Sequence, residues 1–378
     1  MNPTVSFVVP CYRLAHFLPE CLDSILRQNY REIEILILDD CSPDNTAEVA
    51  ARYTDSCVKY VRNDPNLGHL RNYNKGITLA EGKYVWLISA DDCLRRPYIV
   101  ERYVEMLEKN PNVGFVFCPA VGLGEQGETE LLRYSMRGEH NAIFPGRQFL
   151  IDQLLGSDCI VVASALARKD CYTKVGFYPL DMPYAGDWYI WSLFALYYDV
   201  GYFCEPMVNY REHGLSMTNN LKQKNAAILI QDEFAVLWRI REKANGLRLS
   251  SVVERCDSNL VDRYVLCMTR EVHDLGSFRL SEEQCVASVM ENAPNRCLES
   301  KLLSRIYALL ADECYWQGDR ARSLGLYQRS LGIEPNNMNV RIKSFLLKTG
   351  SLGVWARSGL LSLRRALANR ANRPRGLD

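Results

Sequence analysis

Five short stretches of this chain combine residue types that can do chemistry. Ser89-Ala90-Asp91-Asp92 closes an apolar run. A carboxylate there can hold a hard divalent cation whose other ligands are phosphate oxygens, or it can simply close a turn by hydrogen bonds. Asp39-Asp40-Cys41-Ser42 closes a second apolar run. An acid there can accept from a nucleobase imide or a ribose hydroxyl, or cap the next helix, and capping suits Asp39 better than Asp40. Asn66-Leu67-Gly68 opens a helical run that carries Arg71 one turn in, aimed at a base or phosphates or paired with a surface acid. Gly186-Asp187-Trp188 leads into the helical run Tyr189–Tyr198. Asp187 can take a proton from a hydroxyl and can also cap that helix, while burial against Trp188 would raise its pKa. Tyr210-Arg211-Glu212-His213 offers a guanidinium for phosphate and an imidazole for a metal; the plainer reading is a solvated loop.

The elements that must position these groups alternate. Thr4–Val9, Ile33–Leu38, Val58–Val61, Tyr84–Ile88 and Val113–Phe117 read as strands, the first stopped by Pro10. Phe17–Gln28, Thr46–Tyr53, His69–Ala80 and Tyr98–Lys109 read as the intervening helices, with Ser42-Pro43 starting the second and Gly82 closing the third in a left-handed cap. Near-continuous apolar strands, each followed by a helix, predict a largely parallel sheet covered on both faces. Ligands of such sheets bind at the carboxyl ends of the strands, where the polar clusters fall.

Beyond about residue 220 strand signals give way to helical periods at Asn225–Asn245, Ser251–Leu275, Ser281–Asn292 and Glu299–Gln317. Tyr307, Leu310, Ala311, Cys314, Gly318, Ser323, Tyr327, Ser330 and Pro335 match one tetratricopeptide-like unit at about 303–336, which is equally well read as an ordinary helical hairpin. The chain therefore divides into an α/β domain (1–219), a helical domain (220–340) and a basic tail (341–378).

With 378 residues, 48% of them apolar, the chain exceeds one typical domain and can bury a sizeable core. The formal net charge of zero argues against nucleic acid as a partner. Charge is nonetheless uneven, with nine lysines and arginines against one acid from Asn339 to Asp378. Leu352, Val354, Trp355, Leu360, Leu361, Leu363 and Leu367 interleave with that tail's arginines, a pattern suited to an anionic membrane surface or to docking on the helical domain. Fourteen cysteines without a C-x-x-C pair read as buried free thiols in a reducing compartment. No signal peptide and no membrane-length apolar run is present, which predicts a cytoplasmic protein or one peripheral on the inner face of the membrane.

Taken in order, Val8–Arg13, Leu38–Thr46, Asn66-Leu67-Gly68 with Arg71-Asn72, Ala80–Val85, Ser89–Asp92, Gly186-Asp187-Trp188 and Tyr210–His213 resemble a family 2 glycosyltransferase of the GT-A fold, of the bacterial cell-surface glycan type. The resemblance implies a Rossmann-like mixed, mostly parallel sheet followed by an all-α region. It places Pro10, Tyr12, Asp40, Asn66 and Arg71 around a nucleotide, with Asp40 facing the base. It gives Ser89, Ala90, Asp91 and Arg211 to a nucleotide-sugar donor, and Asp91 and His213 to Mn²⁺ or Mg²⁺. It makes Asp187 the general base of an inverting transfer and Trp188 an acceptor contact. The implied donor is a UDP-sugar, and the acceptor a glycan, a lipid-linked glycan or a protein. The helical region would serve acceptor binding, homo-oligomerisation or membrane attachment. The chain departs from the family pattern at three positions: Arg13 replaces Asn, Ser89 the first acid of the metal motif, and Gly186 the Glu before the base. A sugar nucleotidyltransferase would open on a glycine-rich loop, whereas Pro10-Cys11-Tyr12-Arg13 has none. A non-catalytic assembly protein with a degenerate transferase domain is the reading that Ser89 and Gly186 leave open.

Overall fold

The computed structural model describes residues 4–214, 216, 221, 226–269 and 279–349. The chain forms two compact units, Met1–Cys256 and Asp257–Asp378.

The first unit opens with β1 (Val5–Cys11), α1 (Leu18–Leu26), β2 (Ile33–Asp39), α2 (Thr46–Ala50), β3 (Val58–Arg62), α3 (His69–Leu79) and β4 (Tyr84–Leu87). These are the elements that the apolar runs predict. Then come β5 (Cys93–Leu94), α4 (Ile99–Lys109), β6 (Val113–Phe117), β7 (Ala120–Gly124), β8 (Gly127–Leu131), β9 (Ala142–Phe144) and α5 (Gly146–Phe149). The unit continues through β10 (Leu166–Arg168), α6 (Lys169–Val175), α7 (Gly186–Ala195), β11 (Asp199–Tyr202), β12 (Val208–Arg211) and α8 (Ala226–Gly246), and α9 (Ser250–Thr269) starts within it.

Eight strands form one mixed sheet in the order β3-β2-β1-β4-β10-β6-β11-β9. β1 pairs in parallel with β2 on one side and β4 on the other, so the chain reverses its winding at β1. A crevice at the carboxyl ends of β1 and β4 follows from that reversal. A second sheet, β5-β12-β7-β8, places Arg211 at the end of β12 near the turn after β4. Phe7, Trp86, Tyr103 and Phe203 stack in succession through the core at centroid spacings of 5.1–5.4 Å. The buried Trp86 indole N–H donates to the Ala163 carbonyl at 2.8 Å, so this wide ring is buried without an orphaned donor.

Three local expectations need correction. β1 does not stop at Pro10. Its pairing with β2 continues to Cys11–Asp39, and the Pro10 carbonyl accepts Ala90 N–H at 3.1 Å. The start of α2 is organised by Asp44 rather than Ser42-Pro43, because Asp44 Oδ1 accepts Thr46 N–H and Thr46 O–H. Gly82 is not a left-handed cap. It lies against β1, where a Cβ would sit 2.6 Å from Thr4 O and 2.7 Å from Ser6 Oγ, so it is required by close backbone approach.

In the second unit, α10 (Glu282–Asn292) begins with a capping box between Ser281 and Gln284. α11 (Arg296–Trp316) and α12 (Arg320–Ile333) form the expected hairpin, turning at Gly318 with φ +88°. Small residues bring these two helices together, with Ser304 Oγ 3.1 Å from Ser330 Oγ. α13 (Met338–Lys348) follows, and Lys343 pairs with Asp312 at 2.5 Å. Of the basic tail, residues 350–378, which carry the Leu/Trp/Arg pattern, lie outside the described residues. No described helix is long and apolar enough to cross a membrane.

Candidate active site

The turn after β4 is held from below. Asp92 is buried, and its Oδ1 accepts the backbone N–H of Arg211 at 2.9 Å. Burial, then the charge of Asp91, raises the Asp92 pKa well above the ordinary carboxylate range. The Arg211 guanidinium donates to the Asp91 carbonyl at 2.8 Å, pairs with Glu20 and lies over the Phe17 ring, 4.4 Å from its centroid. The guanidinium expected to grip a donor phosphate thus has a second task. Its side chain is 10% exposed and already engaged, so it braces the turn that carries Asp91.

Asp91 is treated differently. Its Oδ2 lies 2.9 Å from His213 Nε2, and its Oδ1 is buried with no hydrogen-bond partner among the described residues. A buried carboxylate oxygen without a partner is costly. An imidazole nitrogen and a carboxylate converging there form a donor set that suits a divalent ion such as Mn²⁺. No three His, Cys, Asp or Glu side chains form a metal cluster among the described residues, so phosphate oxygens or water would complete the shell.

Asp40 is held by the chain itself. Its carboxylate is 3% exposed and accepts three bonds: Asn63 Nδ2 and Leu67 N–H at 2.8 Å, and Gly68 N–H at 2.9 Å. Asn66 also turns inward, donating to the Asp40 carbonyl at 2.6 Å and accepting Gly68 N–H. Together they shape the entry to α3, where Gly68 takes φ +79°. Arg71 is exposed on the first turn of α3, and Tyr12 is 46% exposed at the end of β1. Pro10 and Ala90 are buried, and Ser89 is half-buried. Arg13 adopts φ +61° with its N–H on Ser42 Oγ at 3.1 Å. An asparagine would take that left-handed conformation more easily, so the arginine costs about 1–2 kcal/mol of strain there.

Asp187 lies in the first turn of α7, not at its cap, which is Ala185. Its Oδ1 accepts Trp188 N–H at 2.8 Å, and burial raises its pKa from 3.8 to about 6. Trp188 is not an acceptor platform. It is 2% exposed and its indole N–H donates to Leu154 O at 2.6 Å. Leu154 ends a π-turn, Leu150–Leu154, closed by Leu155 N–H to Leu150 O. α7 is buried on nearly every side rather than amphipathic.

A metal-suited carboxylate at the switch point and a desolvated carboxylate on a separate helix now stand on one scaffold. The family model described as glycosyl transferase family 2 matches residues 6–172. Residues 6–172 belong to that family. Relatives include an uncharacterized glycosyltransferase of Rickettsia typhi, 27% identical over 243 residues covering 63% of this chain and 71% of the relative. A second, from Haemophilus influenzae, is 27% identical over 250 residues, covering 61% and 73%. Among solved structures, Staphylococcus aureus TarS superposes at TM-score 0.58 with 16% identity, covering 86% of this chain and 54% of TarS. Residues 1–349 of TarS, in complex with UDP-GlcNAc, superpose at TM-score 0.57 with 15% identity, covering 92% of both chains. At these identities the structures establish the GT-A-like fold.

Further side chains close enough to feel the charge of Asp187 belong to no motif. Asp158 is exposed, yet its pKa is raised by desolvation from the surrounding protein and then by the charge of Asp187. Tyr134 is 55% exposed, and its hydroxyl pKa is raised, first by desolvation and then by nearby groups that include Asp158 and Asp187. The sequence carried one readable hint of another such residue. Asp232 falls on the apolar stripe of α8 with Leu229 and Val236, which is an unusual place for an acid.

Proposed function

We propose that this glycosyltransferase moves a sugar, with inversion, from a nucleotide-sugar donor, a UDP-sugar, to a hydroxyl of a glycan, lipid-linked or protein acceptor in cell-surface glycan synthesis. The observation that carries this reading is Asp187, a carboxylate whose desolvation brings its pKa to about 6, so that it is ionised at neutral pH yet basic enough to help remove a proton. TarS bound to UDP-GlcNAc supports the donor class.

The diphosphate would lie over Asp91, with Tyr12 and Arg71 reaching it from the ends of β1 and the start of α3. Asp91 and His213 would hold Mn²⁺ or Mg²⁺. When bound, that ion supplies charge neutralisation to the departing diphosphate. Arg211, Asp92 and Glu20 keep the Asp91 turn from shifting. An acceptor hydroxyl entering past Tyr134 and Asp158 donates its proton to Asp187. Its oxygen bonds to the anomeric carbon from the face opposite the phosphate, and the carbon–phosphate-oxygen bond breaks. A single displacement of this kind inverts the centre.

A screen of nucleotide sugars for metal-stimulated hydrolysis and transfer tests the reading. UDP-sugars should be consumed, and Asp187→Ala should lose transfer while remaining folded. Undiminished transfer by Asp187→Ala would remove it as the base.

A further inference from the structure

The loop that delivers Asp187, residues 178–185, is anchored from two directions. On one side stands α3, which begins at the Asp40-organised donor loop. His69 Nε2 lies 3.0 Å from Pro183 O, and since a carbonyl only accepts, this nitrogen carries the proton. Asn74 clamps Tyr178 from both ends: its Nδ2 donates to Tyr178 O at 2.8 Å, and its Oδ1 accepts Tyr178 N–H at 3.0 Å. On the other side stands α8, outside the matched residues 6–172. Asp232 is 4% exposed and its Oδ2 accepts the N–H groups of Tyr184 (2.6 Å) and Ala185 (3.1 Å), the two residues before Gly186-Asp187. Arg239, two turns further along α8, pairs with Asp181 at 2.5 Å.

These bonds occupy backbone groups at the N-terminal end of α7 that the helix itself cannot satisfy. A carboxylate at that end also suits the helix dipole. Asp232 does so from another helix, in place of a local cap: Ala185 has no side-chain oxygen to offer. The base therefore owes its position to groups on α3 and α8 rather than to its own helix. An ångström of misplacement at a reacting group can cost about 100-fold in rate.

We propose that Asp232 and His69 are positioning residues for the base, gripping the 178–185 loop from opposite sides, so that α8 is a working part of the active site and α3 couples the donor loop to it. This inference rests on the assignment of Asp187 as base. The two are separated by measuring Asp232→Ala, Asp232→Asn and His69→Ala in the full chain, each alone and combined with Asp187→Ala. The readouts are kcat, donor KM and thermal unfolding.

Asp232→Ala should lower kcat 10- to 100-fold with donor KM within about twofold. Asp232→Asn should recover most of the loss, since an amide oxygen still accepts both N–H groups. His69→Ala should lower kcat and also raise donor KM, because it sits beside the donor loop. In the Asp187→Ala background neither change should lower kcat any further, as expected of residues that act on kcat through the base. Losses that multiply in that background, or an unchanged kcat in Asp232→Ala, overturn the proposal. Should Asp232→Ala fail to fold, the His69→Ala combination with Asp187→Ala decides on the same criterion. Full transfer by Asp187→Ala alone overturns the base assignment, and the positioning role falls with it.

Discussion

The two acidic pairs of the transferase domain look alike in sequence and are used in opposite ways. At the end of β2 both acids are saturated. Asp39 accepts from Ser42 N–H, Tyr60 O–H and Arg62, and Asp40 accepts from Asn63, Leu67 and Gly68. After β4 only Asp92 is absorbed into the scaffold, while Asp91 keeps one buried oxygen that no described residue satisfies. A carboxylate with its lone pairs filled is architecture, and one left wanting beside an imidazole is available for chemistry. Position at a strand end does not separate the two cases, but satisfaction of hydrogen bonds does.

The largest expected effect comes from the unsatisfied acid. Asp91→Ala should cut transfer about 1,000-fold, in the range of losing a group that stabilises developing charge, with no fall in Tm. A large fall in Tm would break the contrast. The saturated acid should behave conversely. Asp40→Ala orphans three donors and should lose roughly 2–4 kcal/mol of stability, read as a drop in Tm and in the denaturant midpoint. Asp187 adds a graded test. With its pKa near 6, kcat/KM should rise about tenfold per pH unit below pH 6 and level off above it, and Asp187→Asn should abolish that limb. The smallest effect sharpens the comparison: Ser89→Asp should tighten Mn²⁺ binding about tenfold by calorimetry, by returning an acid to the turn.

Much of the fold was legible because β1, β2, β4 and β6 are buried apolar runs with helical periods between them, while the edge strand β3 is largely exposed. β9, β10, β11 and β12 were not legible, since strands of three or four residues owe their existence to the neighbours they pair with. The same division holds at the site. Asp91, Asp187 and His213 sit in stretches whose composition already suggests chemistry. The internal bonds of Asp40 and Arg211 were not legible, because a sequence does not show which lone pairs and N–H groups the fold will use up. Trp188 was misplaced for a related reason: an indole next to a candidate base is as well suited to the core as to a ligand, and the Leu154 carbonyl that decides it lies 34 residues away. Asp158, Tyr134 and Asp232 come from a loop mouth and a distant helix, brought in by tertiary packing alone.

The desolvation of Asp187 has a consequence for the resting enzyme. Between pH 3.8 and about 6 the folded chain retains a proton at this carboxyl that the unfolded chain has released. Stability from this group is therefore full below pH 3.8 and declines as pH rises through 6, by at most about 3 kcal/mol. If Asp187 is the base proposed above, the proton acts as a small ligand that both inhibits the enzyme and protects its fold. Mild acid should give a sturdier and idle transferase, and neutral pH an active one held together with less to spare.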